Sequence, residues 1–162
     1  MTRSLALCLA AACLSAACAN PYSAAGIQPG ATRDQVLARA GQPTATVPLP
    51  SGGQRLQYSL QPMGQHAWMV DLDAAGRVTS SRQVLTLREF SRIEPGTWTR
   101  QDVEREFGRP ARLDALRGYT GPVMTYRWND GGDMFWWVYL DDRNVVVRSH
   151  QGMEFVNAPD RD

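Results

Sequence analysis

The chain has 162 residues, of which 43% are hydrophobic and 20% charged, and its net charge of +1 with no basic stripe argues against a nucleic-acid-binding protein. Every basic residue is an arginine, and the arginines alternate with acidic residues as on a solvated surface. A chain of this length can bury a hydrophobic core as one compact unit or as two small fused ones.

The first 17 residues have the order of a secretory signal and are predicted to be a lipoprotein signal peptide. Arg3 is the only charge before Arg33, and the apolar run 5–14 is shorter than the roughly 20 residues that span a bilayer. Residues 14–18, Leu-Ser-Ala-Ala-Cys, resemble the lipobox of bacterial lipoproteins, which implies cleavage before Cys18 and palmitate-type acylation there. Cleavage after Ala19, which would release a free secreted protein, is the alternative.

All three cysteines, Cys8, Cys13 and Cys18, lie in this N-terminal segment, so the mature chain is predicted to contain no disulfide. Its stability must then come from a hydrophobic core. No long apolar run follows Cys18, and we expect a water-exposed body that acyl chains hold at the membrane. Each buried methylene of such a chain contributes about 0.8 kcal/mol of anchoring free energy.

Two stretches of the chain, 26–43 and 92–110, have closely matching sequences. Further on, 68–73 matches 136–141, and the spacing drifts from 66 to 68 residues. Two copies at so long a period predict a duplicated small domain. The predicted divisions are a signal peptide (1–17), a tether (18–25), a first repeat (26–85), a second repeat (86–151) and a C-terminal tail (152–162).

Each repeat opens with a Pro-Gly turn and a threonine that suits a helix N-cap, Thr32 or Thr99. A glycine, Gly41 or Gly108, then ends the helix. Alternating apolar residues next predict three strands per repeat, after a loop over 44–54 in the first, and the third strands span 77–85 and 145–149. Residues 87–93 suit a short helix. We therefore predict an α+β fold of two tandem helix-helix-three-stranded repeats, with the helices on one face of a shared antiparallel sheet.

The string I-x-x-G-x-T-R-x-x-V-x-x-x-x-G-x-P, a strand with tyrosine and an aromatic-V-x-L/F-D-x-x-G-x-V hairpin resemble the BamE (SmpA/OmlA) domain. Proteins of that family are small outer-membrane lipoproteins that accompany the β-barrel assembly machinery, and the duplicated unit also resembles the β-lactamase inhibitor protein. The resemblance covers roughly 26–150 and implies a periplasm-facing protein that binds envelope proteins and catalyses nothing. Ala19 after Cys18 resembles the outer-membrane sorting pattern.

Residues that carry catalysis or bind metals are sparse. His66 and His150 are the only histidines, and neither has a second ligand at metal-binding spacing. No serine has nucleophile-elbow neighbours, and no cysteine follows Cys18. The sequence thus predicts no catalytic residue, no metal and no cofactor.

The two repeats differ most on the outward side of their second strand. The first repeat has Ala67, Met69 and Asp71 there, where the second has three aromatic residues, and strand alternation places two residues of the neighbouring strand on the same side. An aromatic patch beside an arginine has the composition of a binding hot spot. The predicted partner-binding residues are Phe135, Trp137, Tyr139, Arg127 and Thr125. The alternative is that the repeats pack together there, or that the loop 111–122 covers the patch.

Three functions remain open at this point. The first is a lipid-anchored, non-enzymatic accessory at the periplasmic face of the outer membrane that binds envelope proteins, including β-barrel assembly components. The second is an inhibitor that covers a periplasmic or secreted hydrolase with the aromatic face. The third is a structural envelope protein without a tight partner.

Overall fold

The computed structural model describes residues 21–154. The predicted signal peptide, the lipidation at Cys18 and the last eight residues of the predicted tail lie outside this range. The described part begins with a one-turn 3₁₀-helix, Pro21–Ala24, within the segment that the sequence assigns to a tether. Over 21–154, each helix is too short and too polar to cross a bilayer.

Two four-stranded antiparallel sheets make up most of the structure. The elements are α1 (Arg33–Ala40), β1 (Ala45–Pro48), β2 (Gln54–Ser59), β3 (Ala67–Leu72), β4 (Val78–Gln83), α2 (Leu87–Phe90), α3 (Arg100–Phe107), β5 (Arg112–Ala115), β6 (Pro122–Asn129), β7 (Asp133–Leu140) and β8 (Val146–Met153). The N-terminal sheet has the strand order β1-β2-β3-β4 and the C-terminal sheet the order β5-β6-β7-β8.

The predicted α+β fold with helix-helix-three-stranded repeats is wrong. The described chain is mostly β, with three short α-helices, and its two sheets are separate rather than one shared sheet. Each repeat contains a fourth strand, β1 or β5, in a segment that sequence patterns assign to a loop. β1 ends at Pro48, which an edge strand tolerates because a proline there need not donate to a neighbouring strand.

The two longer helices, α1 and α3, begin as predicted. Thr32 accepts a hydrogen bond from the backbone N–H of Gln35, whose side chain bonds back to the Thr32 N–H, and Thr99 and Asp102 form the same capping box on α3. The residue after each helix is a glycine with a φ of 76° or 79°, a conformation that side chains disfavour. At eight residues each, these helices depend on packing for their stability.

The duplication extends to individual hydrogen bonds. The Tyr58 hydroxyl donates to the carbonyl of Gly41 at 3.0 Å, and the Tyr126 hydroxyl donates to the carbonyl of Gly108 at 2.8 Å. A register shift also interrupts the last hairpin of each sheet at the equivalent place. Each tyrosine thus ties the second strand of its sheet to the end of the preceding helix.

The sheets and helices stack in alternate layers. The first core lies between α1 and the inner face of the N-terminal sheet, and the second lies between α2, α3 and the inner face of the C-terminal sheet. Ala67 and Met69, on the outer face of the N-terminal sheet, also belong to the second core. Helices of the second repeat therefore cover the outer face of the first sheet.

Candidate functional site

The outer face of the C-terminal sheet is the side that points away from α3, and we call it the outer aromatic face. The antiparallel register of β5 to β8 defines its members, because directly opposed residues point to the same side. They are Arg112 and Asp114 on β5, Val123, Thr125 and Arg127 on β6, Phe135, Trp137 and Tyr139 on β7, and Arg148, His150 and Gly152 on β8.

All five residues that the sequence predicts for partner binding lie on this face. Thr125 is opposite Trp137, and Arg127 is opposite Phe135. Thr125 is fully buried and Tyr139 is 8% exposed, whereas the other three are half-buried. The structure brings the five together, and their role in binding stays a prediction.

The aromatic rings form a row of contacts across the face. The centroids of Phe135 and Trp137 are 5.7 Å apart, and Trp137 lies 5.2 Å from the ring of His150. His150 stacks in turn on Tyr139 at 5.4 Å, and its Nε2 is 3.2 Å from the Tyr139 hydroxyl. Because each ring touches the next, the row is held in place before any partner arrives.

Arginines contact this row of rings at two places. The guanidinium of Arg112 is 5.3 Å from the centre of the Phe135 ring, and that of Arg148 is 3.9 Å from the centre of Tyr139. At exposed sites such cation–π contacts stabilise by about 0.5–1 kcal/mol each. The ring of Tyr119 also contacts that of Tyr139, edge to face at 90° and with the centroids 5.6 Å apart. The face is therefore apolar with a basic margin.

Gly152 makes room for the Trp137 side chain. A Cβ at position 152 would lie 2.5 Å from Trp137 Cζ3, closer than real contacts allow. A larger residue at 152 would therefore displace the indole. This glycine positions Trp137 without taking part in the contacts of the ring row.

The sequence left two structural roles open for this face, namely packing between the repeats and cover by the segment 111–122. The repeats pack mainly through the outer face of the N-terminal sheet, and at the outer aromatic face the first repeat reaches only Arg127, which donates to the Met63 carbonyl, among the hydrogen bonds of residues 21–154. The segment 111–122 forms the edge strand β5 and supplies Arg112 and Tyr119, which cover the margin. Phe135 and Trp137 remain half-buried, so a partly open centre is left.

The equivalent face of the N-terminal sheet carries a buried ionic network instead. Arg55 donates to both carboxylate oxygens of Asp71, at 2.6 and 3.0 Å, and lies 2.9 Å from the Glu106 carboxylate of α3. Burial works to lower the pKa of Arg55, but these two carboxylates outweigh it and hold the pKa above its ordinary value. The network fixes the second repeat on the first.

Sequence reasoning missed three members of the outer aromatic face that contact its rings, Arg112, Arg148 and His150, and it missed Tyr119, which contacts Tyr139 from the margin. It ends the last strand at Ser149, which leaves His150 beyond it, whereas β8 runs to Met153 and sets His150 opposite Trp137. Extending the last strand until each residue of β7 has an opposite residue would have predicted this pairing. The described residues include no group of three metal-ligating side chains.

A shallow concavity lies apart from this face, at the start of α3, and is lined by Arg100, Glu104 and Arg143 among others. Its main charges satisfy one another, since Arg100 Nε is 2.8 Å from a Glu104 carboxylate oxygen. We assign it no ligand.

No protein-family model and no curated protein matches the chain. Among solved structures, the chain is similar to a DUF4309 family protein (YjgB) from Bacillus subtilis subsp. subtilis str. 168. That similarity has a TM-score of 0.31 and 12% identity, and it covers 82% of this chain and 91% of the other.

Proposed function

We propose that this chain is a non-enzymatic, lipid-anchored accessory protein at the periplasmic face of the outer membrane, and that it binds an envelope protein through the outer aromatic face. One observation carries the proposal. The outer face of the first sheet is covered by the helices of the second repeat, whereas the same face of the second sheet has aromatic residues and, within residues 21–154, no helix over it.

The composition of the face supports binding to a protein. Tryptophan, tyrosine and arginine supply most of the binding free energy at protein interfaces, especially when clustered at the centre. The Trp137 ring is held by contacts with the rings of Phe135 and His150 and lies directly against Gly152. The Tyr139 ring is held by the guanidinium of Arg148. Because these side chains are already ordered, binding loses less conformational entropy than it would with mobile side chains.

Support for the location comes from the sequence. The lipobox-like residues before Cys18 favour acylation, and the BamE-like motifs favour the outer membrane and the β-barrel assembly components as the setting. A Cys18→Ala variant should lose labelling by a palmitate analogue and leave the membrane fraction. Retention of the label in that variant would contradict lipidation at Cys18.

Cross-linking from the face tests the binding proposal directly. A photoreactive amino acid replaces Phe135 in the full-length protein, and the same amino acid at the exposed Ala38 of α1 is the control. We expect adducts with an outer-membrane assembly protein from position 135 but not from 38, and their loss when Gly152→Ala displaces Trp137. Equal labelling from both positions, or none, would contradict the proposal. An adduct with a soluble hydrolase would favour the inhibitor function instead.

A further inference from the structure

We propose that the outer aromatic face takes an amphipathic helix of the partner protein, seated as α3 is seated on the N-terminal sheet and bearing carboxylates toward Arg148 and His150. The inference rests on the proposed function, because it names the kind of partner element that the same face binds.

The contact of α3 with the N-terminal sheet is the internal template. Gln57 Nε2 donates to the backbone carbonyls of Glu104 and Arg105 at 2.9 and 3.0 Å, and Arg55 Nη1 donates to the Arg105 carbonyl at 3.0 Å. Carbonyls in the last turn of a helix have no partner within the helix; here the Gly108 N–H caps the Glu104 carbonyl, and the sheet supplies the donors for Arg105 and a second donor for Glu104. The Glu106 carboxylate then meets Arg55 at 2.9 Å.

The second sheet has equivalent positions for the residues that hold α3 on the first sheet. Met69 on β3 is opposite Arg82 on β4, and Trp137 on β7 is opposite His150 on β8. Both sheets thus place a large apolar side chain in the centre and a basic ring or guanidinium on the last strand. Arg82 pairs with Glu106 of α3 at 3.4 Å, and by equivalence a helix on the second sheet would bring its matching residue over His150, beside Arg148.

The charges of the outer aromatic face favour an acidic partner. Arg127 and Arg112 are matched within the face, by Glu154 at 2.9 Å and Asp114 at 3.6 Å. Arg148 is exposed, and within residues 21–154 its side chain has no ion pair or hydrogen bond beside its stacking on Tyr139. A carboxylate from the partner would form an ion pair with Arg148. Charge complementarity of this kind selects partners and speeds their association.

A second copy of the chain fits this face poorly. Stacked copies would bring α1 of one molecule onto the outer aromatic face of the next, in the layer where α3 lies on the first sheet. At the α1 position that matches Glu106, the chain has Arg39, and α1 opens with the exposed Arg33. Arg39 would then lie over His150 and beside the cation Arg148, which costs binding free energy.

A pair of helical peptides tests the proposal on the full-length chain. Both are stapled peptides of about 15 residues, long enough to hold a helix, with one leucine stripe; the residues flanking the stripe are glutamate in one and lysine in the other. We expect the glutamate peptide to shift the Trp137 indole resonance and to bind at least about 10-fold more tightly than the lysine peptide. Arg148→Glu should reverse this preference. The control is Arg143→Glu in the β7–β8 hairpin turn, where the Arg143 side chain is 81% exposed, and this change should leave the preference for the glutamate peptide unchanged.

The outcomes separate this inference from the proposed function. Equal binding of both peptides, or binding of neither, overturns the acidic helix. If cross-links from position 135 to an envelope protein persist in that case, the proposed function stands alone; if they too are missing, both fall. Sedimentation that shows a dimer abolished by Trp137→Ala would assign the face to a second copy and overturn the inference.

Discussion

The outer faces of the two sheets occupy equivalent places in the repeat and differ in what lies on them. On the N-terminal sheet, Ala67 and Met69 are fully buried beneath helices of the next repeat. On the C-terminal sheet, Phe135 and Trp137 occupy the same register and are only half-buried. The helices of the second repeat cover the sheet of the first, and its outer face is therefore built as core. The second sheet has no such cover within residues 21–154, and its outer face can carry aromatic and basic residues that contact a partner.

The largest effect is expected at the buried charge of the covered face. Arg55→Ala removes the buried cation between Asp71 and Glu106 and leaves them only the longer contacts to the more exposed Arg82, and we expect it to lower the free energy of unfolding by about 3 kcal/mol. Arg148→Ala on the open face should change it by at most about 1 kcal/mol, the value of its contact with the Tyr139 ring. Urea denaturation measures both. A loss below about 1 kcal/mol for Arg55→Ala would show that water reaches the network.

Met69 and Trp137 form the second test, because they stand at the same register position. Met69→Ala removes a fully buried side chain and should destabilise by about 3 kcal/mol. Trp137→Ala should destabilise less, although its side chain is larger, and should abolish the cross-link from position 135. If Trp137→Ala proves the more destabilising of the two, the outer aromatic face serves the fold and not a partner.

The paired tyrosine hydrogen bonds give a smaller difference. Tyr126→Phe should lower the free energy of unfolding by about 1–2 kcal/mol, because it leaves the Gly108 carbonyl unpaired in a fully buried place. Tyr58→Phe should lower it by about 0.5–1 kcal/mol, since its bond to the Gly41 carbonyl is only partly buried. Equal losses would mean that the two cores exclude water equally well. Thermal unfolding of both variants decides this.

The smallest effect depends on pH and separates the two capping boxes. Partial burial works to raise the pKa of Asp102, but the hydrogen bonds from Thr99 and the Arg105 guanidinium outweigh it and lower the pKa below its ordinary 3.8. Its stabilisation is therefore present above about pH 4 and is lost as the pH falls through the lowered folded-state pKa. The matching residue on α1 is Gln35, which does not titrate.

We therefore expect Asp102→Asn to be less stable than the unmodified chain by about 1 kcal/mol at pH 7 and to approach it near pH 2. Gln35→Ala on α1 is the control, and its deficit should not vary with pH. Urea unfolding at a series of pH values measures both. A constant deficit for Asp102→Asn would show that the carboxylate charge contributes nothing beyond the cap.

Local chemistry in the sequence was enough to place the helix starts and stops. The caps at Thr32 and Thr99 are confirmed, because a threonine before an amphipathic run and a glycine after it act through neighbouring backbone groups. The fourth strand of each repeat was missed, since β1 and β5 are four residues long and lie among turn-forming residues. Short edge strands of this kind depend on their neighbour for their conformation.

The separation of the sheets could not be read from local patterns. It depends on contacts such as Gln57 with the carbonyls of α3, which join residues nearly 50 positions apart. Alternation along β6 and β7 did place Thr125, Arg127 and Trp137 on one side, because that needs only the two-residue period of a strand. The additional members on β8 required knowing where that strand ends.

The helix α3 belongs to the second repeat by sequence but contacts both sheets, and this makes the halves unequal as folding units. A chain cut after β4 would expose Met69 and the ionic network to water, whereas the C-terminal half keeps both its helix and its sheet. In repeat proteins the free energy of unfolding is a sum of the intrinsic stability of each repeat and the stability of each interface between neighbours. Here the interface stabilises mainly the first repeat. The half that leaves the ribosome first therefore reaches its full stability only after the last half has folded against it.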